Sequence, residues 1–361
     1  MHHEGEMPST IAKLIKFVLM SATIHSFRTE RGHETRGAIN MWLNAPFGTG
    51  KTSLISPLAQ EGLAVLIHDY TVAGLVGTIK RTGLVTIGEI RNLADNTAIL
   101  EEFQNTPKTS RAILLALMEE HKYSRILGFE ILKPENIEES GFCFRAEGTR
   151  LSIQLRASFI VLSMTYNTPS MLENALLSRC IPVFLDTSID EQADLFVKGH
   201  SVQVNAKDVK RAREELKGLS VTIPARVRER IAKKYRKTQM KPEFLTRAMW
   251  DFVRVSYLTA YESGENEITK EAVEETEWLI EVQQLGYAKR TLTKTAYEIY
   301  LMLANSDKPL TASEVATKMN LSREHTSRIL NELVKRKLAK KAQVSKKVCY
   351  FVEKEEESEE E

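Results

Sequence analysis

Short apolar runs alternate with longer amphipathic stretches over the first half of the chain. The runs are INMWLN, LAVLIHDY, GLVTIGEI, SFIVLSMTYN and IPVFLD, and helical stretches such as TSLISPLAQEG and SRAILLALMEEHKY separate them. Short apolar runs joined by helices are typical of parallel strands that are buried on both faces. The pattern therefore predicts an α/β domain over residues 1–204, opening with an amphipathic helix at residues 10–28.

The pattern changes after residue 204. Residues 205–287 form long charged segments in which apolar positions recur with the helical period, and we find no strand candidate among them. Residues 288–352 combine three helical segments with the alternating stretch LAKKAQVSKKVCYFVEK, which predicts a hairpin. The acidic residues 353–361 predict a disordered tail. The chain is thus expected to contain three domains and a tail.

Composition narrows the classes of protein that fit. The formal net charge is only +2, but Lys and Arg are concentrated at residues 207–241 and 335–347. Cys143, Cys180 and Cys349 form no C-x-x-C pair, which argues against a disulfide framework and against a zinc site. No uncharged apolar run approaches the roughly 20 residues that a membrane helix needs. We expect a cytoplasmic protein with no membrane partner.

One stretch carries a clear nucleotide-binding pattern. APFGTGKTS follows the apolar run INMWLN and fits G-x-x-x-x-G-K-[ST], except that Ala45 replaces the first glycine. In this pattern backbone amides wrap the phosphates, Lys51 approaches the outer phosphates, and Thr52 offers its hydroxyl to Mg²⁺. The alternative is a chance glycine-rich turn. The candidate ATP-binding residues are Pro46, Phe47, Gly48, Thr49, Gly50, Lys51, Thr52 and Ser53.

The residues around this loop resemble a known family. TRGAINMWLNAPFGTGKTSL is similar to the opening of the AAA+ module of the minichromosome-maintenance (MCM) replicative helicases, and Arg36, Gly37, Ile39 and Asn40 carry the match. TYNTPSMLENALLSRCIPVFLDTSIDEQADLF resembles the family's sensor 1 asparagine, its Leu-Ser-Arg finger motif and the acidic run that enters the lid. FLTRAMWDFVRVSYLTA resembles its sensor 2 helix, and the C-terminal helices and hairpin resemble its winged helix. The family's N-terminal DNA-encircling domain has no counterpart in this sequence.

The resemblance implies a P-loop AAA+ parallel-sheet domain, an all-helical lid and a C-terminal winged helix. It also implies that Asn167 orients the attacking water, and that Arg179 and Arg247 contact the phosphates of ATP held by a neighbouring subunit. A finger supplied to a neighbour requires an oligomer, either a homo-oligomeric ring such as a hexamer or an assembly with related AAA+ subunits. The alternatives are that Asn167 is an ordinary turn asparagine and that Arg179 is a surface arginine. For Arg247, the alternative is an ion pair with Glu243 or Asp251 on the same helix.

The family's Walker B motif, an apolar strand ending in Asp-Glu, corresponds best to GLVTIGEIRNL. Gly88 and Glu89 then occupy the places of the two acidic residues. We expect Glu89 to polarise the attacking water, and the missing aspartate to weaken Mg²⁺ binding and slow hydrolysis.

Two regions are candidates for DNA contact. The family's pore insertion before Walker B has only a few residues here. GFCFRAEGTRLSIQLRA alternates on both sides of residues 146–148, which predicts a hairpin with Arg145, Arg150 and Arg156 facing the DNA. An ordinary surface hairpin is the alternative.

TASEVATKMNLSREHTSRILNELVKRK fits a helix-turn-helix whose second helix begins at the N-cap Ser322. Ile329, Leu330 and Leu333 would face the core. A protein-docking module is the alternative to a DNA reader. The candidate DNA-binding residues on this helix and the following basic stretch are Arg323, His325, Thr326, Arg328, Lys335, Lys346 and Lys347.

These expectations combine into an oligomeric, DNA-acting ATPase that couples ATP hydrolysis to remodelling or unwinding, with ATP and Mg²⁺ as cofactors. Two alternatives remain at this stage. One is an initiator or loader that uses ATP as a switch. The other is an adaptor that binds nucleotide without turnover.

Overall fold

The chain folds into two compact units, Met1–Gln283 and Gln284–Glu361. The boundary expected at residue 204 falls inside the first unit. The computed structural model describes residues 9–45, 51–67, 70–164, 170–184, 204–238, 240, 242–290, 292–304, 306, 308–344 and 347–352.

A five-stranded, all-parallel sheet forms the centre of the first unit. Its strands are β3 (Asn40–Ala45), β4 (Ala64–Ile67), β7 (Asn96–Leu100), β10 (Ala157–Met164) and β11 (Ile181–Phe184). Their order is β11-β3-β10-β7-β4, so β3 lies between β11 and β10. The helices between these strands include α2 (Lys51–Gln60), α3 (Val72–Leu75), α4 (Lys108–Glu120) and α5 (Ser170–Leu177). This mixed α/β arrangement is compatible with a P-loop domain, as the alternation of apolar runs predicted.

One of the five predicted strands is wrong, and one strand of the sheet was missed. From GLVTIGEI only β6 (Val85–Ile87) forms, and it pairs with β5 (Gly77–Ile79) in an isolated antiparallel hairpin. Gly77 is required there, because it has φ +101° and an added Cβ would lie 1.9 Å from the carbonyl oxygen of Thr86. The parallel sheet instead recruits NTAIL as β7, which pairs with both β10 and β4.

The first helix is shorter than predicted. α1 (Ser9–Ser21) is followed by β1 (Ser26–Thr29), which pairs in parallel with β12 (Ser220–Ile223) and antiparallel with β2 (Glu34–Arg36). Pairing with β12 pulls residues 26–29 out of the helical pattern. β12 itself lies within residues 205–287, so the expectation that this segment is entirely helical is wrong.

The remaining helices of the first unit share its main core. They are α6 (Ala206–Glu215), α7 (Ala225–Tyr235), α8 (Pro242–Glu262), α9 (Lys270–Glu275) and α10 (Trp278–Arg290), the last of which runs into the second unit. Phe252 of α8 belongs to the same buried cluster as Leu14 of α1 and Ile160 of β10. Arg213 of α6 is also buried and donates hydrogen bonds to the carbonyl oxygens of Leu19 and Leu63, at 2.7 Å each. The helical segment therefore packs directly on the sheet domain.

A long two-stranded ribbon extends from the sheet. β8 (Lys122–Glu139) and β9 (Phe142–Leu155) pair in antiparallel fashion, with the turn at Ser140 and Gly141. Gly141 has φ +72°, which suits a tight turn. The turn predicted at residues 146–148 is wrong, because β9 runs through these residues. The ladder is irregular between Ile131 and Glu135, where Pro134 cannot donate a backbone hydrogen bond.

The second unit combines helices with a small antiparallel sheet. The helices are α11 (Lys294–Ala304), α12 (Ala312–Met319) and α13 (Arg323–Lys335), and the strands are β13 (Leu310–Thr311), β14 (Lys340–Val344) and β15 (Lys347–Phe351). The sheet order is β13-β15-β14, and the predicted hairpin is β14–β15. Ser322 caps α13 by accepting the backbone N–H of His325, and Leu330 and Leu333 are fully buried, as predicted. Across all the described segments, no helix is both long and apolar enough to cross a membrane.

Candidate functional site

The phosphate-binding pattern lies between a central strand and a helix. β3 ends at Ala45 and α2 begins at Lys51. Residues 46–50 lie outside the described residues, as do the side chains of Lys51, Thr52 and Ser53. The pattern therefore has a strand before residues 46–50 and a helix after them, and a helix N-terminus at this place suits phosphate binding.

Glu89 does not follow a strand of the parallel sheet. It begins a short 3-10 helix, Glu89–Leu93, directly after the β5–β6 hairpin. Gly88 and Glu89 follow the end of β6, as predicted, but β6 is not a strand of the parallel sheet. Within the parallel sheet, β7 is directly followed by the acidic residues Glu101 and Glu102. Since β7 and β3 are parallel, these glutamates lie at the same edge of the sheet as the phosphate loop.

Tyr70 connects these acidic residues. Its hydroxyl donates a hydrogen bond of 3.0 Å to the carbonyl oxygen of Glu101. Burial raises the pKa of this hydroxyl, and the Glu101 carboxylate raises it further, with smaller contributions from Glu89 and Glu102. The half-buried phenol of Tyr70 therefore lies beside the residue that follows β7. Glu102 also accepts a hydrogen bond of 2.9 Å from the side-chain amide of Asn105.

The signal for Glu101 and Glu102 was present in the sequence. NTAILEEFQ is a short apolar run followed at once by two acidic residues. The run contains only four apolar or β-branched residues, TAIL, so the length of the apolar run favours GLVTIGEI as the strand. Burial of β7 between two neighbouring strands, rather than the length of its apolar run, makes it part of the sheet.

The two arginines predicted to contact phosphate meet at one carboxylate. Nε of Arg179 lies 3.1 Å from Oε2 of Glu119, and a terminal guanidinium nitrogen of Arg247 contacts Oε1 of the same group. Arg179 follows α5 and Arg247 lies on α8, so the tertiary structure brings them together. Arg247 does not pair with Asp251, which instead binds Arg254 at 2.6 Å.

The residues of the RGAIN motif hold Arg179 in place. A terminal nitrogen of Arg36 donates to the carbonyl oxygen of Arg179 at 2.5 Å, and the side-chain amide of Asn40 donates to the same oxygen at 3.3 Å. Gly37 fits because an added Cβ would lie 2.3 Å from the carbonyl oxygen of Ile24. The motif that suggested the family therefore has a local structural role in positioning the residue after α5.

Arg254, seven residues after Arg247 on α8, has a structural role. Its guanidinium is fully buried and also donates to the carbonyl oxygen of Arg36 and to Oγ1 of Thr35. Burial lowers the pKa of Arg254 to about 10, and Asp251 opposes this effect. Burial lowers the pKa of Arg36 to about 9, with further lowering by the charges of Arg254 and Arg247.

The ribbon presents two of its three predicted cations to solvent. Arg145 and Arg150 are exposed on β9. Arg156 lies beyond the end of β9 and is half-buried, because its Nε binds Asp95 at 2.5 Å and anchors the base of the ribbon. Arg156 is therefore not available for the contact predicted with DNA.

The second unit exposes most of its candidate cations. Arg323, Arg328, Lys335 and Lys347 are exposed, whereas His325 is half-buried and lies 3.0 Å from Arg328 through its Nδ1. Thr326 is fully buried, so the prediction that it faces a groove is wrong. It lies on the buried face of α13, and its hydroxyl donates a hydrogen bond of 3.0 Å to the carbonyl oxygen of Ser322. Asn167 and Lys346 lie outside the described residues, as does the acidic tail.

The sequence matches no known protein-family model. It also matches no curated protein at a significant level.

Proposed function

We propose that this chain is an ATP-dependent, DNA-acting AAA+ ATPase that resembles the MCM helicases and works as an oligomer. The observation that carries the proposal is the placement of APFGTGKTS between the central strand β3 and the helix that begins at Lys51. A parallel five-stranded sheet with a phosphate-binding loop at its carboxyl edge suits a nucleotide triphosphate. In this proposal residues 205–283 act as the lid and the second unit acts as a winged helix.

Glu101 and Glu102 replace Glu89 as the proposed Walker B pair. The donor set at this edge fits a magnesium-bound nucleotide, because a carboxylate after β7 and a threonine in the first turn of α2 are hard oxygen ligands. We assign the metal-side role to Glu101 with Thr52, and the polarisation of water to Glu102. Lys51 would bind the outer phosphates, and Asn167 would orient the water. Bound Mg²⁺ would neutralise charge on the phosphates.

Arg179 and Arg247 would contact the nucleotide of a neighbouring subunit. Their meeting at Glu119 supports this role, since both guanidinium groups point to one place from separate elements. Arginine suits a phosphoryl group because its planar fork donates two parallel hydrogen bonds. The contact would stabilise charge during hydrolysis and couple turnover to movement between subunits.

Exposed cations support DNA as the partner. In the second unit they lie on α13 and at the start of β15, and in the first unit they lie on β9. A helix and an adjacent hairpin that carry unburied Arg and Lys suit the backbone phosphates of a duplex.

The test is ATP turnover by the full chain with and without DNA. We expect Lys51→Ala and Glu102→Gln each to lower the rate by about 100-fold, because they remove a phosphate contact and the polarising carboxylate. Glu89→Gln is the matched control and should keep the rate within about twofold, an effect below 1 kcal/mol. Equal background rates in the wild type and all three variants would exclude an ATPase. A loss of turnover in Glu89→Gln but not in Glu102→Gln would assign the polarisation of water to Glu89.

A strand-displacement assay separates the forms of this function. Displacement that depends on ATP and on Lys51 indicates a helicase. Turnover with DNA binding but without displacement indicates an initiator or loader. Nucleotide binding without turnover indicates an adaptor.

A further inference from the structure

Glu119 lies near the end of α4 and contacts two arginines from distant parts of the chain. Its Oε2 is 3.1 Å from Nε of Arg179, and its Oε1 contacts Arg247. The three side chains are 29%, 23% and 19% exposed, respectively, so the group is partly open to solvent. A neighbouring molecule can therefore approach it.

The surroundings of Glu119 carry more positive than negative charge. Arg36, Arg179, Arg247 and Arg254 lie around two carboxylates, Glu119 and Asp251, and Asp251 is taken by Arg254. Within the described residues, Nη1 of the buried Arg36 has no hydrogen-bond partner. Burial lowers the pKa of Arg36, the charges of Arg254 and Arg247 lower it further, and Asp251 opposes them. This cluster can accept an additional anion.

We propose that Glu119 is an internal substitute for phosphate. In the free subunit its carboxylate orients Arg179 and Arg247, and in the assembled state the terminal phosphate of a neighbour's nucleotide takes its place. A carboxylate and a phosphoryl group are both anions that pair with guanidinium, so they compete for the same two cations. This inference rests on the proposed function and adds a positioning residue that sets how readily nucleotide drives assembly.

Removing the charge of Glu119 should leave Arg179 in place. Its NH1 also donates to the carbonyl oxygen of Ala175 and to Oγ of Ser178, each at 2.8 Å, and its Nε donates to the carbonyl oxygen of Leu115 at 3.0 Å. Glu119→Gln therefore removes a competing anion and keeps the finger anchored. We expect assembly at a nucleotide concentration lower by about tenfold, a typical coupling between two sites.

The experiment is a titration of the full chain with a non-hydrolysable ATP analogue, followed by sedimentation velocity at one protein concentration. It compares the wild type with Glu119→Gln and with the control Glu120→Gln, which removes an exposed carboxylate from the next position of α4. The assembly midpoint is the concentration of the analogue at which half of the protein has assembled. It should fall for Glu119→Gln and stay at the wild-type value for Glu120→Gln. Glu119→Asp retains the charge and should stay within about twofold of the wild type.

An unchanged or raised midpoint in Glu119→Gln, with a wild type that assembles, overturns this inference alone. Glu119→Ala provides the same test without an amide that could hold the arginines, and its folding is checked by urea unfolding. Equal shifts in Glu119→Gln and Glu120→Gln also overturn the inference, because they indicate a general charge effect. A wild type that binds the analogue but remains monomeric overturns the proposed oligomeric function as well.

Discussion

The arginine cluster of the first unit and the basic face of the second unit differ in how far the protein satisfies their charges. Arg36 and Arg254 are buried, and Arg179 and Arg247 are largely covered and bind carbonyl or carboxylate oxygens. Arg323, Arg328, Lys335 and Lys347 are exposed on the second unit. Both regions are rich in cations, but these cations differ in exposure to solvent.

Under the proposed function, this difference suits two kinds of anion. An arginine fixed by several hydrogen bonds presents its donors in one direction, which suits a single phosphoryl group at a defined position. Exposed lysines and arginines act through their summed field, which suits a polyanion and weakens as salt rises. The first cluster contains a second contrast, because the side chain of Arg254 is fully buried, whereas those of Arg179 and Arg247 are partly exposed.

Replacing Arg254 should have the largest effect on stability. Arg254→Met removes the partner of the buried Asp251, so we expect a loss of about 3–5 kcal/mol in the free energy of unfolding. Urea unfolding followed by tryptophan fluorescence measures this, since Trp42, Trp250 and Trp278 all lie in the first unit. Arg211→Ala, an exposed cation of the same unit, should change stability by less than about 0.5 kcal/mol. Similar small losses in both variants would remove the distinction between structural and accessible arginines.

Protonation of His121 should destabilise the first unit in acid. Burial lowers the pKa of His121 to about 3, with smaller contributions from Arg36 and Arg254. The unfolded state, with a pKa of about 6.5, binds the proton first, so stability is present above pH 6.5 and is lost as the pH falls toward 3. The loss is at most about 1.4 kcal/mol per pH unit.

His121→Asn tests this prediction, because asparagine tolerates the φ of +56° at this position. Urea unfolding at pH 7 and pH 5.5 should show a steeper decline in the wild type than in the variant. Parallel declines in the two proteins would mean that the folded state does not exclude the proton from His121.

A capping box begins α12 of the second unit. Oγ1 of Thr311 accepts the N–H of Glu314, and the Glu314 carboxylate accepts the backbone N–H of Thr311. This hydrogen bond from the Thr311 backbone lowers the pKa of Glu314. Thr311→Ala should cost about 1 kcal/mol, measured as faster amide exchange in α12. Ser313→Ala, two residues further along the chain, is the control. Equal amide exchange in the two variants would contradict a role for the cap.

Removing one exposed cation should give the smallest effect. Arg328→Ala should weaken duplex binding by about threefold and lower the slope of log affinity against log salt by about one. Fluorescence anisotropy at several salt concentrations measures both quantities. Arg211→Ala, an exposed cation outside this face, should leave the slope unchanged. A slope that does not respond to Arg328→Ala would argue that this face docks protein rather than DNA.

Several features of the fold were predictable from local pattern. β3, β4, β10 and β11 were each identified from a short apolar run, and Ser322 was identified as a cap from its place before an amphipathic helix. β7 and β12 were not predicted, since their short runs acquire strand structure only through pairing with neighbours distant in sequence. The turn of the ribbon was predicted at residues 146–148 for a different reason. Alternation alone does not distinguish one continuous strand, such as β9, from two short ones.

Sequence alone determined the phosphate-binding pattern at residues 45–53, because backbone amides, a lysine and a hydroxyl act within a few adjacent residues. It also determined the basic character of α13, which depends only on side-chain type and helical period. Tertiary structure alone decided that Glu101 and Glu102, rather than Glu89, follow a strand of the parallel sheet. It alone decided that Arg179 and Arg247 meet at Glu119. These positions depend on which strands pair and which helices pack, and that choice is made by burial over the whole unit.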